Sequence, residues 1–320
     1  MSDITITCYG PRGSLPTPST RDFSTVEFGG NTSCYYLEAG PFRVILDAGS
    51  GIRNLGNDLM KAGEIGKHFI MCLSHYHWDH IQGLPFCVPM FIGSNTFHFH
   101  GFTPSGHELG PQPVVEQMLA HQQSNPHFPV AHGSMPSRKV YNDHPRQFSK
   151  TFWYTAQDGG YCRYETEKQA TRYVLPGDAD GESVLKVTTI PLNHPDGCLG
   201  YCFEYMGKKV VYATDNEPLR NTNHQLNTHA KGADWLLLDA QYTDKQLGGM
   251  VQTFGHGSAP ACVAQAEDCE AKLLVLHHHD PASDDAFVQN MEMEAMRLVG
   301  MDLELELKVR AAKEGQVWEI

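Results

Sequence analysis

No stretch of this 320-residue chain approaches the roughly 20 consecutive apolar residues that a membrane-spanning helix needs. The N-terminus runs Ser2-Asp3-Ile4-Thr5-Ile6, without a basic region ahead of an apolar run, so no secretory leader is expected. Nine cysteines, an odd number with no C-x-x-C pair, do not form a disulfide framework, and a reducing cytoplasm is the expected compartment. Basic charge is scarce: 24 Lys and Arg stand against 37 Asp and Glu, a net charge of −13. No run of three basic residues occurs, and the adjacent pairs Arg138-Lys139 and Lys208-Lys209 read as exposed turns. A long nucleic acid lying across the surface is therefore not expected. Repeats and low-complexity segments are absent as well. Hydrophobic residues at 41% and charged residues at 19% suit a globular core.

Histidine, by contrast, is plentiful at 18 residues, and it is concentrated in one place. The apolar stretch Phe69-Ile70-Met71-Cys72-Leu73 reads as a buried strand, and it opens directly into His75-Tyr76-His77-Trp78-Asp79-His80. Imidazoles at alternate positions of an extended chain can converge on one ion, while Asp79 and His80 on the following turn can reach a second. Two adjacent metal sites are the natural reading, and a histidine-rich polar loop is the alternative.

The H-x-H-x-D-H cluster resembles the signature of the metallo-β-lactamase superfamily, in its two-metal hydrolase form. Further segments are similar to that family's motifs and follow in its order. These are Leu46-Asp47-Ala48-Gly49-Ser50-Gly51, Asn193-His194-Pro195, Ala213-Thr214-Asp215 and Leu274-Val275-Leu276-His277-His278. Gly10-Pro11-Arg12-Gly13-Ser14-Leu15-Pro16-Thr17-Pro18 and Gly29-Gly30-Asn31-Thr32-Ser33 resemble the opening of the tRNase Z and cyclic-nucleotide phosphodiesterase relatives. The likeness spans about residues 4 to 315, with a gap in the middle. Without a secretory leader, a secreted antibiotic-resistance enzyme is the less suitable relative.

The resemblance implies a ligand set. His75, His77 and His194 would hold one ion, Asp79, His80 and His278 the second, and Asp215 would bridge both through its two oxygens. The ions would share a water acidified towards neutrality, leaving hydroxide as the attacking group. Five imidazoles and two carboxylates suit Zn²⁺, with Mn²⁺ or Fe²⁺ as alternatives. His278 is chosen among the consecutive His277, His278 and His279 because the family ends in Leu-x-Leu-x-His. Asp47 is expected behind a metal-bound imidazole, as a hydrogen-bond acceptor that fixes the ring, with a strand-end carboxylate satisfying local amides as the alternative. His256, in Thr253-Phe254-Gly255-His256-Gly257-Ser258, matches a non-ligand histidine of the tRNase Z-like relatives. It could donate a proton to the leaving oxygen or steady charge on phosphorus; the alternative is a helix-entry histidine with a structural hydrogen bond. Asp79 is expected to share in the chemistry as well as in ligation.

Apolar runs bounded by turn residues predict strands over 4–9, 33–38, 42–47, 69–73, 97–102, 184–191, 199–205, 209–213, 235–239, 273–276 and 303–309. Helices are predicted over Ile52–Ala62, Ser258–Cys269 and Asp284–Leu298, the last capped by Ser283. His98 and His100, in an alternating Phe-His-Phe-His strand with no carboxylate nearby, read as exposed. Residues 101–150 carry seven Pro and five His, and only Pro113–Gln123 reads as helical there. The family likeness implies an α/β fold, a four-layered αβ/βα sandwich, formed by one domain over 1–320 with a lid-like insertion at about 101–165. A pocket-shaping role for this insertion and a surface excursion are both open.

The expected protein is a cytoplasmic dinuclear metallohydrolase acting on a small or cyclic phosphodiester. Alternatives are a tRNA 3′-processing endonuclease, a thioester or lactone hydrolase, and a low-turnover metal-dependent sensor. A flavodiiron-type oxidoreductase is less suitable, since the hydrolase ligands are complete and no flavin-binding domain follows. The expected partner is a small molecule, with neither membrane nor long nucleic acid; a homodimer remains open.

Overall fold

The computed structural model describes residues 3–105, 111–157, 160–165, 184–217, 223–249, 251, 253–301 and 306–320. In chain order the strands are β1 (Ile4–Gly10), β2 (Cys34–Ala39), β3 (Phe42–Leu46), β4 (His68–Cys72), β5 (Thr96–Phe102), β6 (Arg138–His144), β7 (Thr151–Gln157) and β8 (Gly160–Tyr164). They continue with β9 (Val184–Leu192), β10 (Cys198–Tyr205), β11 (Lys208–Ala213), β12 (Trp235–Asp239), β13 (Leu273–His277), β14 (Lys308–Ala311) and β15 (Val317–Glu319). The helices are α1 (Ile52–Lys61), α2 (Trp78–Ile81), α3 (Val114–Gln122), α4 (His224–Ala230), α5 (Asp244–Leu247), α6 (Ala259–Asp268) and α7 (Asp285–Gly300).

The strands form two sheets, one ordered β15-β1-β2-β3-β4-β5-β6 and the other β14-β13-β12-β11-β10-β9-β7-β8. Each sheet is antiparallel on one side and parallel on the other: β3 to β6 run parallel, as do β11 to β14. Parallel strands are covered on both faces, which is why Trp235-Leu236-Leu237-Leu238 and Leu273-Leu274-Val275-Leu276 are continuously apolar. One core lies between the sheets, joining Ile6, Leu37 and Ile70 of the first to Tyr154, Val187 and Trp235 of the second. A second fills the space under α4, α6 and α7, and a third lies under α1 and α3. The layers therefore run helix, sheet, sheet, helix, as the family likeness implies. Among the described residues no helix is long and apolar enough to cross a membrane.

The strand and helix boundaries match those predicted to within a few residues, except that 303–305 fall outside the described residues and β14 runs to Ala311. Three expectations fail. The helix α7 is capped by Asp284, whose carboxylate accepts from Phe287 N at 2.8 Å. Ser283 is engaged elsewhere, its carbonyl accepting from the buried Arg12 Nη1 at 2.7 Å. The two basic pairs do not mark turns: Arg138-Lys139 opens β6 and Lys208-Lys209 opens β11. Finally, His98 and His100 are buried, at 6% and 0% exposure. β5 lies between β4 and β6, and its imidazoles face partners that satisfy them. His98 Nε2 shares a hydrogen bond with His68 Nδ1 at 3.0 Å, and His100 shares one with His144 Nε2 at 2.8 Å and another with Tyr154 Oη at 2.7 Å.

The Pro- and His-rich segment also proves more regular than its composition indicates. Beyond α3 it supplies β6 to the edge of the first sheet, and the residues directly after it form β7 and β8 at the edge of the second. Edge strands are short of apolar residues on their open side, so their alternation is hard to read in sequence.

A candidate metal centre at the strand ends

The site lies where the parallel strands end, the place at which open α/β sheets expose loops rather than side-chain-filled interior. Asp47 follows β3, His75 follows β4, Asp215 follows β11 and His278 follows β13. Asp47 and His278 take φ values of +57° and +63°, a left-handed conformation that turns each side chain away from its strand direction. For His278 this turn separates it from its neighbours: His277 is bonded to Tyr35 Oη at 2.8 Å and Ser33 Oγ at 3.1 Å, and His279 to Ala312 O at 3.0 Å.

Two groups of donors converge. His75, His77, His194 and Asp215 each present an atom within 4.8 Å of the others, and so do Asp79, His80, Asp215 and His278. Asp215 divides its two oxygens between them. Its Oδ2 lies 3.5 Å from His75 Nε2 and 3.8 Å from His194 Nε2, whereas Oδ1 lies 3.2 Å from both His80 Nε2 and His278 Nε2. Asp79 Oδ2 completes the second group at 3.1 Å from His278 Nε2 and 3.2 Å from His80 Nε2. All seven sequence-predicted ligands are thus brought together. The centre opens to solvent beside His77 and the exposed Trp78.

The rear nitrogen of four of these rings is held, which fixes the tautomer and leaves Nε2 facing the centre. His80 Nδ1 meets Asp47 Oδ2 at 2.7 Å, His278 Nδ1 meets Gln241 Oε1 at 2.9 Å, His194 Nδ1 meets Gly255 O at 3.0 Å and His75 Nδ1 meets Ser74 Oγ at 3.0 Å. Asp47 also accepts from Ser74 N, Ser74 Oγ and Tyr212 Oη, each at 2.7 Å. It lies behind His80 and outside both donor groups. Gly255 is required where it stands, since a Cβ there would sit 2.3 Å from His194 Nδ1.

These residues fit divalent cations. Asp47, Asp79, Asp215 and Asp239 are all buried, yet among the described residues none pairs with lysine or arginine. Buried carboxylates without fixed positive charge are costly, and bound cations would offset that cost. His75 Nε2 is buried with no hydrogen-bond partner, aimed at the same space. Burial and then the neighbouring His80 hold the His75 pKa well below its ordinary value, keeping the neutral form that ligation requires. Burial opposes ionisation of Asp215, but His278, His80 and His75 outweigh it and keep the carboxylate ionised.

His256 adjoins this arrangement. Its Nδ1 lies 2.6 Å from Asp239 Oδ2, and its ring stacks on His278 at 4.9 Å between centroids. Burial lowers its pKa, while Asp239 by charge and hydrogen bond more than offsets this and raises it to about 9. Cations in the neighbouring groups would act in the opposite direction.

Sequence reasoning missed Asp239, Gln241 and Ser74. A signal for Asp239 was present: Leu236-Leu237-Leu238-Asp239 repeats the apolar-strand-then-Asp pattern of Val44-Ile45-Leu46-Asp47. Gln241 and Ser74 carried none, since a lone amide or hydroxyl has no characteristic spacing.

The description "Beta-lactamase superfamily domain" fits residues 43–279. Among curated proteins none matches the chain. Several solved structures share the fold. The metallo-β-lactamase fold protein YhfI from Bacillus subtilis is 17% identical with a TM-score of 0.61, each chain covered over 100%. The short form of human tRNase Z is 18% identical with a TM-score of 0.59, each chain covered over 99%. A diphosphatase from the PhnP family is 16% identical with a TM-score of 0.59, covering 99% of this chain and 98% of that one. With the family match extending over most of its length and both sheets and donor groups in place, the chain belongs to the metallo-β-lactamase superfamily of hydrolases.

Proposed function

We propose that this protein is a dinuclear metal-dependent phosphodiesterase acting on a small or cyclic phosphodiester. The observation that carries this reading is the division of Asp215 between two complete donor groups with a histidine–carboxylate pair, His256 and Asp239, beside them. His75, His77 and His194 would hold one ion, Asp79, His80 and His278 the other, and Asp215 both. Zinc suits five imidazoles and two carboxylates, with manganese or iron as alternatives. When bound, two divalent ions supply Lewis acidity and a water acidified to near neutrality.

The protein's own residues do the rest. Asp239 holds His256 Nδ1, so Nε2 is the atom left to face a substrate. As the bond from phosphorus to the leaving oxygen breaks, Nε2 delivers its proton to that oxygen. Asp47 keeps the His80 ring aligned through the step. Substrate enters beside His77 and Trp78, where the centre is open.

Two further observations support the reading. Two proteins sharing the fold are named for action on tRNA and as a diphosphatase. The net charge of −13 gives little purchase to a long polyanion, which favours a small substrate over structured RNA. All nine cysteines are free and eight are buried, in keeping with a cytoplasmic location. The Pro- and His-rich segment would border the entrance and restrict substrate size.

The test compares kcat/KM for a cyclic nucleotide, bis(p-nitrophenyl) phosphate, a precursor tRNA, a thioester and a lactone under identical salt. The small phosphodiesters should be preferred. Faster cleavage of the tRNA would make tRNA processing the better function, and turnover confined to thioester or lactone would overturn phosphodiester chemistry.

A further inference from the structure

Ser14 is exposed, yet both its backbone and its hydroxyl are tied to the second donor group. Its amide donates to Asp79 Oδ2 at 2.7 Å, the same oxygen that approaches His80 and His278. Its hydroxyl oxygen accepts from Gln241 Nε2 at 3.2 Å. Gln241 is itself buried at 2% exposure, and its Oε1 lies 2.9 Å from His278 Nδ1. His278 Nε2 faces Asp79 and Asp215, so its Nδ1 carries the proton and Gln241 must turn its oxygen towards it. That leaves the amide nitrogen for Ser14. One buried side chain thereby sets the orientation of a metal-facing ring and the position of a surface hydroxyl together.

Ser14 also has φ of +59°, a conformation that glycine takes readily and serine takes at a cost. Gly13 beside it is pressed against the His278 ring, where a Cβ would sit 2.3 Å from ring atoms. The corner is therefore packed directly against a metal-facing ring. With Gln241 occupying a lone pair, the Ser14 proton has no acceptor among the described residues. Among the described residues lysine and arginine are missing from the partners of the site carboxylates, which leaves a neutral hydroxyl as a donor for a substrate oxygen at this end. We infer that the Ser14 hydroxyl donates a hydrogen bond to a non-bridging oxygen of the bound phosphoryl group, with Gln241 as its positioning residue. The phosphoryl identity of that group rests on the phosphodiester reading.

The test uses full-length, zinc-loaded protein and the variants Ser14→Ala and Ser14→Gly. Two quantities are measured: kcat/KM for bis(p-nitrophenyl) phosphate and the dissociation constant of inorganic phosphate by calorimetry. Both variants should retain two ions, lose about 10-fold in kcat/KM and bind phosphate several-fold more weakly. Ser14→Gly is decisive, because it keeps the amide that donates to Asp79 and relaxes φ while removing only the hydroxymethyl group. Wild-type phosphate affinity and turnover in Ser14→Gly would overturn the inference. So would loss of metal from both variants, which would show the Ser14 hydroxyl acting only through Gln241 and the His278 ring, or failure of the wild type to bind phosphate. A wild type that cleaves no phosphodiester, with phosphate still held more weakly by Ser14→Gly, would remove the phosphodiester reading and leave the Ser14 contact standing.

Discussion

Asp239 Oδ2 lies 2.6 Å from His256 Nδ1, while Asp239 Oδ1 accepts from the backbone N–H of Gln241 at 2.9 Å. Both carboxylate oxygens are thus engaged, and the imidazole is held from behind, its Nε2 without a hydrogen-bond partner among the described residues. A ring fixed in this way is compatible with the proton delivery proposed for it.

Replacing His256 with alanine should slow turnover by roughly 10²-fold or more, with both ions retained. The loss should be smaller with a nitrophenolate leaving group than with an alkoxide, because an acidic leaving group needs no proton. Equal losses on both would count against proton donation. Since Asp215, Asp239, His256 and His278 also converge within 4.8 Å, loss of an ion from the variant would make His256 a ligand instead.

Asp215→Ala should abolish hydrolysis and release metal from both donor groups, because each group draws on one of its oxygens. His75→Ala and His80→Ala should each remove activity while leaving the sheets intact by circular dichroism. Elemental analysis giving one ion or none in fully active wild-type protein would defeat the two-ion assignment.

Asp47→Asn should weaken metal binding by about 10- to 100-fold without removing any direct ligand, since it loses the charge that aligns His80. Competition with a chelator measures this. Unchanged affinity would reduce Asp47 to a strand-end residue that satisfies Ser74 and Tyr212.

The histidines outside the centre predict an acid sensitivity. Burial lowers the pKa of His98 to about 4, with His68 and Arg138 adding to the effect, and lowers that of His132 to about 4, with Lys139 contributing. Both have ordinary values near 6.5 in the unfolded chain, so between about 6.5 and 4 the unfolded state binds more protons. Stability is therefore complete above that window and falls as pH drops through it. Imidazole resonances of His98 and His132 should stay in the neutral position down to about pH 5. Titration near 6.5 in the folded protein would refute this account.

Much of the centre was legible in sequence because its chemistry is local. His75, His77, Asp79 and His80 fall within six residues after an apolar strand, and that spacing alone brings four donors to one loop. Asp47, His194, Asp215 and His278 could be named only by resemblance, since they come from separate strand ends. The helices α1, α6 and α7 and the buried parallel strands were legible for the same reason: their apolar pattern is a property of consecutive residues. The tertiary structure decided the rest. Strand order placed β5 between β4 and β6, so the burial of His98 and His100 depended on partners 30 and 44 residues away in sequence. Packing determined that Asp239 faces His256 and that Gln241 bridges His278 and Ser14, since single polar residues have no period to betray them. The sequence by itself determined which side chains could hold metal; only the fold, by turning strand ends towards one another, decided which residues stand behind them and fix their direction.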